Sequence, residues 1–263
     1  MDMIVCVKRV PETTEAELTI AEGGRSIKEE RLVFDINEWD NYAVEEAILL
    51  KEKFGGSVII IMVGSEAANE TLRHCLAKGA DSAVRLSDEA FNGSDGYAIA
   101  RILREVIKDM KFDLLLTGVQ SSDNGYGQIG VMLASMLKVP HATLVTSIEI
   151  KDKVAKVTRE LEGGEGEALE IKLPAVLSIQ TGINEPRYAS IRGIRDAMKK
   201  EIKVLGLSDT GLSARDVGEA GSKTRIEELF IPEVGEVAEM LTGTVEEASG
   251  KLAEILKSKG LLG

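Results

Sequence analysis

The sequence has 263 residues, 44% of them hydrophobic and 29% charged, which suits one large globular domain or two unequal ones. Its formal charge of -12 argues against nonspecific binding to nucleic acid or anionic membranes, and an aromatic content of 4% offers little for stacking single strands. Two scattered cysteines, Cys6 and Cys75, without a CxxC pair, exclude a disulfide framework and a zinc site. No run approaches the roughly eighteen apolar residues of a membrane span, and MDMIVCVKRV lacks a signal-peptide core, so the chain reads as cytoplasmic, with no direct membrane insertion.

In chain order, MIVCV (3 to 7) has the apolar, β-branched character of a strand. From Asp40 to Phe54 a helical stripe carries Ala43, Val44, Ala47, Ile48 and Leu50, and a diglycine ends it. SVIIIMVG (57 to 64) is apolar on both faces, as in a parallel strand covered by helices. A helix over 66 to 78, a strand at 83 to 86, a helix over 95 to 110 and a strand at 113 to 117 complete a βαβαβαβ pattern. Such alternation predicts a doubly wound, mostly parallel sheet whose ligand sits at the carboxyl ends of the strands.

The loop at one such end reads TGVQSSDNGYGQIG (117 to 130). Its glycines, Gly118, Gly125, Gly127 and Gly130, permit close backbone approach, and a helix starting near Gln128 would direct N–H groups at a phosphate. A plain tight turn is the competing reading, since the loop is neither a Walker A sequence nor a GxGxxG after the first strand.

After Pro140 four strand-like runs follow, 143 to 150, 154 to 161, 167 to 173 and 175 to 181, and their short connections predict an antiparallel meander added to the sheet. Segment 184 to 203 then holds six basic residues against three acidic, with Tyr188 and Ile191 as an apolar pair suited to a partner. The tail has little core of its own apart from an amphipathic helix over 245 to 260, which predicts an arm laid on another subunit. The adjacent pairs Glu29/Glu30, Glu45/Glu46 and Glu227/Glu228 read as solvated surface, and His74 and His141 as structural.

VCVKRVPE, AVEEAILLKEK, the nucleotide loop, NEPRYASIRG and above all VTRELEGGEGEALEIKLPAVLSI (157 to 179) together resemble the beta (small) subunits of electron transfer flavoproteins, clearly over residues 1 to 205. The resemblance implies an adenine nucleotide alpha hydrolase-like α/β domain over 1 to 204, and a C-terminal arm over 205 to 263 that contacts the alpha subunit. It further implies an electron carrier: an FAD shared with that alpha subunit, with AMP or a second FAD in this chain's own domain. The partners implied are acyl-CoA or other flavin dehydrogenases, as in fatty acid β-oxidation, and a quinone oxidoreductase. The redox chemistry would be the flavin's, and no side chain is expected to act as a catalytic acid or nucleophile.

Carried over by position, the nucleotide contacts are Cys6, Asn37, Asp40, Val63, Asp123, Asn124, Gly125, Tyr126, Gly127, Gln128, Ile129 and Gly130. Cys6, Val63 and Ile129 also have a plain core reading. Arg159 and Glu160 are expected to face the shared flavin domain, or else to form a surface ion pair. Tyr188, Ala189, Ser190, Ile191 and Arg192 correspond to a recognition loop, with Ile191 as the anchor unless it is buried under the neighbouring helix.

VPET, ASIRG and EAGSKTRI point to the electron-bifurcating, FixA-like branch, in which a second FAD accepts hydride from NADH. Asp123-Asn124-Gly125-Tyr126 departs from that branch, which tends to Asp-Gly-Asp-Thr, as does Gly93-Ser94-Asp95-Gly96, where a threonine is usual after the aspartate. Tyr126 either fills the space of a second flavin or stacks on one. Two other classes compete: an ATP-cleaving enzyme, disfavoured because KRVPETTE rather than a phosphate loop follows the first strand, and a non-redox nucleotide sensor, which would lack the meander and the basic segment.

Overall fold

The computed structural model describes residues 1–14, 16–232, 238 and 240–262. After β1 (Asp2–Cys6) the chain forms a separate antiparallel pair, β2 (Arg9–Pro11) with β3 (Phe34–Ile36). There follow α1 (Glu38–Phe54), β4 (Ser57–Val63), α2 (Ala68–Lys78), β5 (Ser82–Leu86), α3 (Gly96–Ile107), β6 (Leu114–Gly118) and α4 (Ile129–Leu137). The next strands are β7 (His141–Lys151), β8 (Val154–Glu160), β9 (Gly166–Lys172) and β10 (Ala175–Ile179). The chain closes with α5 (Ile191–Ala197), β11 (Ile202–Leu205), the single-turn α6 (Leu207–Thr210) and α7 (Gly218–Gly221), and α8 (Val245–Ser258).

Nine of these strands form one sheet in the order β11-β5-β4-β1-β6-β10-β7-β8-β9. Strands apolar on both faces need helices on both, and they have them. Met3, Val5, Ile60 and Leu116 pack with α1 and α2, while Ile4, Cys6, Ile61 and Leu115 pack with α3 and α4. The chain steps outward from β1 through β4 to β5, and α3 then carries it back to β6 on the other side of β1. The winding therefore reverses at β1, and a crevice opens beyond the carboxyl ends of β1 and β6.

The meander holds for β7, β8 and β9, which pair antiparallel. The fourth run does not belong to it. β10 inserts between β6 and β7 and is parallel to both. The physical reason is composition: all five residues of AVLSI are buried, as an inner strand requires, whereas β9 alternates between exposed and half-buried positions until Ile171. β11, hidden in the basic segment, pairs parallel with β5 at the sheet edge.

Residue 204 lies within β11, where Leu205 is still partnered with Leu86. Beyond it, Val217 is buried in the core. The Gly218 N–H donates to Ser94 Oγ at 2.8 Å, and the Lys223 and Thr224 N–H groups donate to Asp95 Oδ2 at 2.7 and 2.8 Å. The α8 helix starts at a Thr244/Glu247 capping box and buries none of its residues. Residues 233–237, 239 and 263 of the expected arm lie outside the described residues. Among the described residues, no helix is long and apolar enough to cross a membrane.

Candidate functional site

A cavity of about 380 Å³ lies at the switch point, bounded by the ends of β1, β4 and β6 and the starts of α3 and α4. That is within the roughly 300–1,000 Å³ typical of small-molecule sites. Cys6, Val63 and Ile129 line it, together with Ile99 and Leu103. The same three also belong to, or pack on, the core beneath, so both of their sequence readings describe them. Burial, with Asp40 nearby, pushes the Cys6 thiol far above its ordinary range, so it stays protonated.

Asn37 and Asp40 line the cavity but act first as clips. Asn37 Nδ2 donates to the Gln120 carbonyl at 2.8 Å, and its Oδ1 accepts from Ser122 N at 3.1 Å. The Asp40 carboxylate accepts from Lys8 N at 2.8 Å and from Gly118 N at 2.9 Å, which ties the end of β1 to the end of β6. Burial raises the Asp40 pKa to about 7 against the lowering effect of those donors. Asp123 sits across from them with both oxygens on Lys8 Nζ, at 2.7 and 2.5 Å. Burial works against its ionisation, but the Lys8 ammonium and the Ser121 hydroxyl outweigh that and hold its pKa below the usual carboxylate value.

Asn124, Tyr126, Gly127 and Gln128 complete the wall, whereas Gly125 and Gly130 lie off it. The glycines divide by cause. Gly125 and Gly127 have φ of +62° and +61°, a left-handed conformation that favours glycine. Gly118 and Gly130 are packing positions: a Cβ would fall 2.5 Å from Asp40 Oδ1 at the first and 2.1 Å from Ser178 Oγ at the second.

Two helices open onto the cavity, and their first turns differ. At α3 the N-cap Asp95 accepts from Ala98 N at 2.9 Å and holds the 223–224 backbone as well. At α4 the N-cap Gln128 gives no side-chain cap. Among the described residues none accepts from the N–H groups of Gly127, Gln128, Ile129 and Gly130. Unmatched donors at a helix start, beside a cavity, suit an anion.

Sequence reasoning did not assign Lys8 to the wall, and it marked Ser94, Asp95 and Gly96 only as a departure from the bifurcating pattern, not as wall residues. Lys8 had one usable signal, a basic residue directly after an inner strand, and Asp95 had another, an acidic N-cap before an apolar helix. Also unforeseen is an open groove of about 550 Å³ between Asp123, Asn124 and Tyr126 on one side and residues 225–230 on the other. Tyr126 is half-exposed and borders both spaces.

Arg159 forms a cross-strand pair with Glu167 on β9, Nε to Oε2 at 2.7 Å. Glu160 has a different partner: it accepts from Gln180 Nε2 at 2.9 Å, and Gln180 Oε1 accepts from Trp39 Nε1 at 2.9 Å. Farther on, Tyr188 and Ile191 are 97% and 89% exposed, so Ile191 is not buried under the neighbouring helix. Ala189 packs against the core, Ser190 caps α5 by accepting from Gly193 N at 3.0 Å, and Arg192 lies near Asp196 at 3.7 Å. Ile194 and Met198, also exposed, extend the apolar stripe at helical spacing.

Glu45 and Glu46 are buried, not solvated, because residues 184–187 fold back over α1 and supply the Asn184 amide and the Arg187 guanidinium to them.

The family model of the electron transfer flavoprotein domain matches residues 25–210. The electron transfer flavoprotein subunit beta of Methylophilus methylotrophus is 45% identical over 260 residues, covering 97% of this chain and 98% of that one. The subunit of that name in Bacillus subtilis (strain 168) is 37% identical, with 98% of each chain covered. The caffeyl-CoA reductase-Etf complex subunit CarD of Acetobacterium woodii is 38% identical over the whole of both chains.

Proposed function

Because the chain belongs to the electron transfer flavoprotein family, as its beta subunit in a heterodimer with an alpha subunit, we propose that its cavity binds an adenine nucleotide. In the same reading, the segment after β10 receives flavin dehydrogenases. The observation that carries the nucleotide reading is the set of unmatched N–H groups from Gly127 to Gly130 beside the switch-point cavity. A phosphate there would meet backbone donors and the positive end of α4, with the Lys8 ammonium nearby. The apolar wall of Cys6, Val63, Ile99 and Ile129 would take the base, and Asp123 and Asn124 the ribose hydroxyls.

A flavin, once bound between the subunits, supplies the redox chemistry of the complex. This chain's residues then position it and exclude water: Arg159 and Glu160 are proposed to meet the alpha subunit's flavin domain from the end of β8. Electrons are proposed to pass from acyl-CoA or other flavin dehydrogenases, docked on Ile191, to a quinone oxidoreductase, with the complex in the cytoplasm.

AMP is the proposed nucleotide. The groove between Tyr126 and residues 225–230 favours a second reading, an FAD whose adenylate half occupies the cavity and whose remainder extends past Tyr126. The two are separated by purifying the heterodimer, denaturing it and quantifying released FAD and AMP by chromatography. About one FAD and one AMP per heterodimer supports the first reading. Two FAD without AMP supports the second. One FAD with no other adenine nucleotide would overturn the cavity assignment.

A further inference from the structure

Just before the exposed Tyr188, the chain is fastened to the body by charges that the fold has buried. The Glu45 side chain on α1 is 3% exposed and that of Lys78 on α2 is 1% exposed. Glu45 Oε2 lies 3.9 Å from Lys78 Nζ, which also donates to Asn41 Oδ1 at 2.5 Å. Both oxygens of Glu45 accept from Arg187, Oε2 from its backbone N at 2.9 Å and Oε1 from Nε at 2.8 Å. The outer face of the same guanidinium makes a two-toothed pair with Glu52 at 2.6 and 3.1 Å. Asn184 Nδ2 adds contacts to the Tyr42 carbonyl and to Glu46 Oε2 at 3.2 and 3.0 Å.

The far side of the segment is held as firmly. A Cβ on Gly193 would lie 2.2 Å from the Ala77 carbonyl oxygen, so α5 sits hard against the end of α2. Arg73 donates to the Ala197 and Lys200 carbonyls, and Lys200 Nζ to that of Ala80 at 2.5 Å. Glu45 is buried while Arg187 is one-third exposed, and an ion pair with a buried member is a poor route to stability, since apolar side chains of the same volume serve as well. What a planar fork on a carboxylate does better is fix geometry. The geometry fixed here is that of residues 188–198, whose large apolar side chains, Tyr188, Ile191, Ile194 and Met198, face solvent.

We propose that Glu45 and Arg187 form a positioning pair for partner docking, holding Tyr188 and Ile191 in the conformation in which a dehydrogenase receives them. This inference rests on the docking reading above.

Glu45→Gln would leave Lys78 buried with a weakened partner, so the cleaner variant is Arg187→Gln, with Arg187→Lys as the conservative control. In the purified heterodimer, hydrogen exchange of amides 188–198 is expected to quicken about tenfold or more in Arg187→Gln, with amides 114–137 unchanged. With butyryl-CoA dehydrogenase and butyryl-CoA as electron donor, KM for the dehydrogenase rises about tenfold while kcat and flavin content hold. Arg187→Lys restores part of the loss. In a double-mutant cycle, Arg187→Gln adds little to Ile191→Ala, because it acts through that side chain. If Ile191→Ala raises KM but Arg187→Gln changes neither exchange nor KM, or adds to Ile191→Ala in full, the positioning role is wrong while the docking reading stands. If Ile191→Ala leaves KM unchanged, the docking reading fails and takes this inference with it.

Discussion

At the cavity three polar side chains are already engaged by the protein itself: Asp40 by two N–H groups, Asn37 by the 120–122 backbone, Asp123 by Lys8. Among the described residues the main-chain N–H groups at the start of α4 remain free there, with the side chains of Asn124, Tyr126 and Gln128 beside them. At residues 184–198 the balance is reversed. Arg187, Asn184 and the start of α5 are tied down, and the large apolar side chains Tyr188, Ile191, Ile194 and Met198 are left over in solvent. The two regions are therefore sensitive to different changes. A site built on backbone donors fails when a turn conformation is disturbed, and a convex side-chain site fails when one apolar group is removed.

The largest expected effect comes from Asp40→Ala, which strands the Lys8 and Gly118 N–H groups at about 1–3 kcal/mol each and lowers stability in urea unfolding. Loss of under 0.5 kcal/mol would mean that the clip is dispensable and the cavity floor self-supporting. Next is Gly130→Ala, expected to lose about 1–3 kcal/mol through overlap with Ser178 and Thr117 while nucleotide content holds, since the added Cβ meets the protein and leaves the Gly130 N–H in place. Nucleotide lost from a folded Gly130→Ala protein would blur that division.

A pH effect follows at Asp40. Its pKa is about 7 in the folded chain against an ordinary 3.8, so the folded state holds an extra proton between those values. Stability from this group is therefore present at low pH, declines as pH rises from about 4 to about 7 and levels off above. Asp40→Asn has no such slope, so unfolding free energies measured across that window should show the variant gaining on wild type as pH rises. The smallest effect is Lys8→Met. Loss of the half-exposed Lys8–Asp123 pair should cost at most about 1 kcal/mol of stability, while nucleotide affinity falls about three- to tenfold.

Periodicity made the parallel half legible: the stripe from Ala43 to Leu50 and the two-faced run 57–63 became α1 and β4 as expected. Strand order was not legible, because pairing is set by how α3 crosses back over the sheet, and nothing local in its sequence records the direction. β10 carried a signal that was passed over, five consecutive buried-type residues in place of alternation. At the site, ten of the twelve nucleotide residues inferred from the family resemblance do line one cavity. The roles of Gly118 and Gly130 escaped because a missing Cβ reads the same whether the neighbour is a ligand or the protein. Glu45 and Glu46 escaped because burial came from Arg187 and Asn184, distant in sequence.

Main chain at Gly127 is proposed to bind the nucleotide. This is tested most directly by comparing adenine nucleotide released on denaturation from wild-type and Gly127→Val heterodimers at matched flavin content. Valine cannot readily hold a φ of +61°, so a folded, flavin-bearing heterodimer with less than about a tenth of the wild-type nucleotide is expected. Undiminished nucleotide in the variant would contradict it and leave the loop as a plain turn.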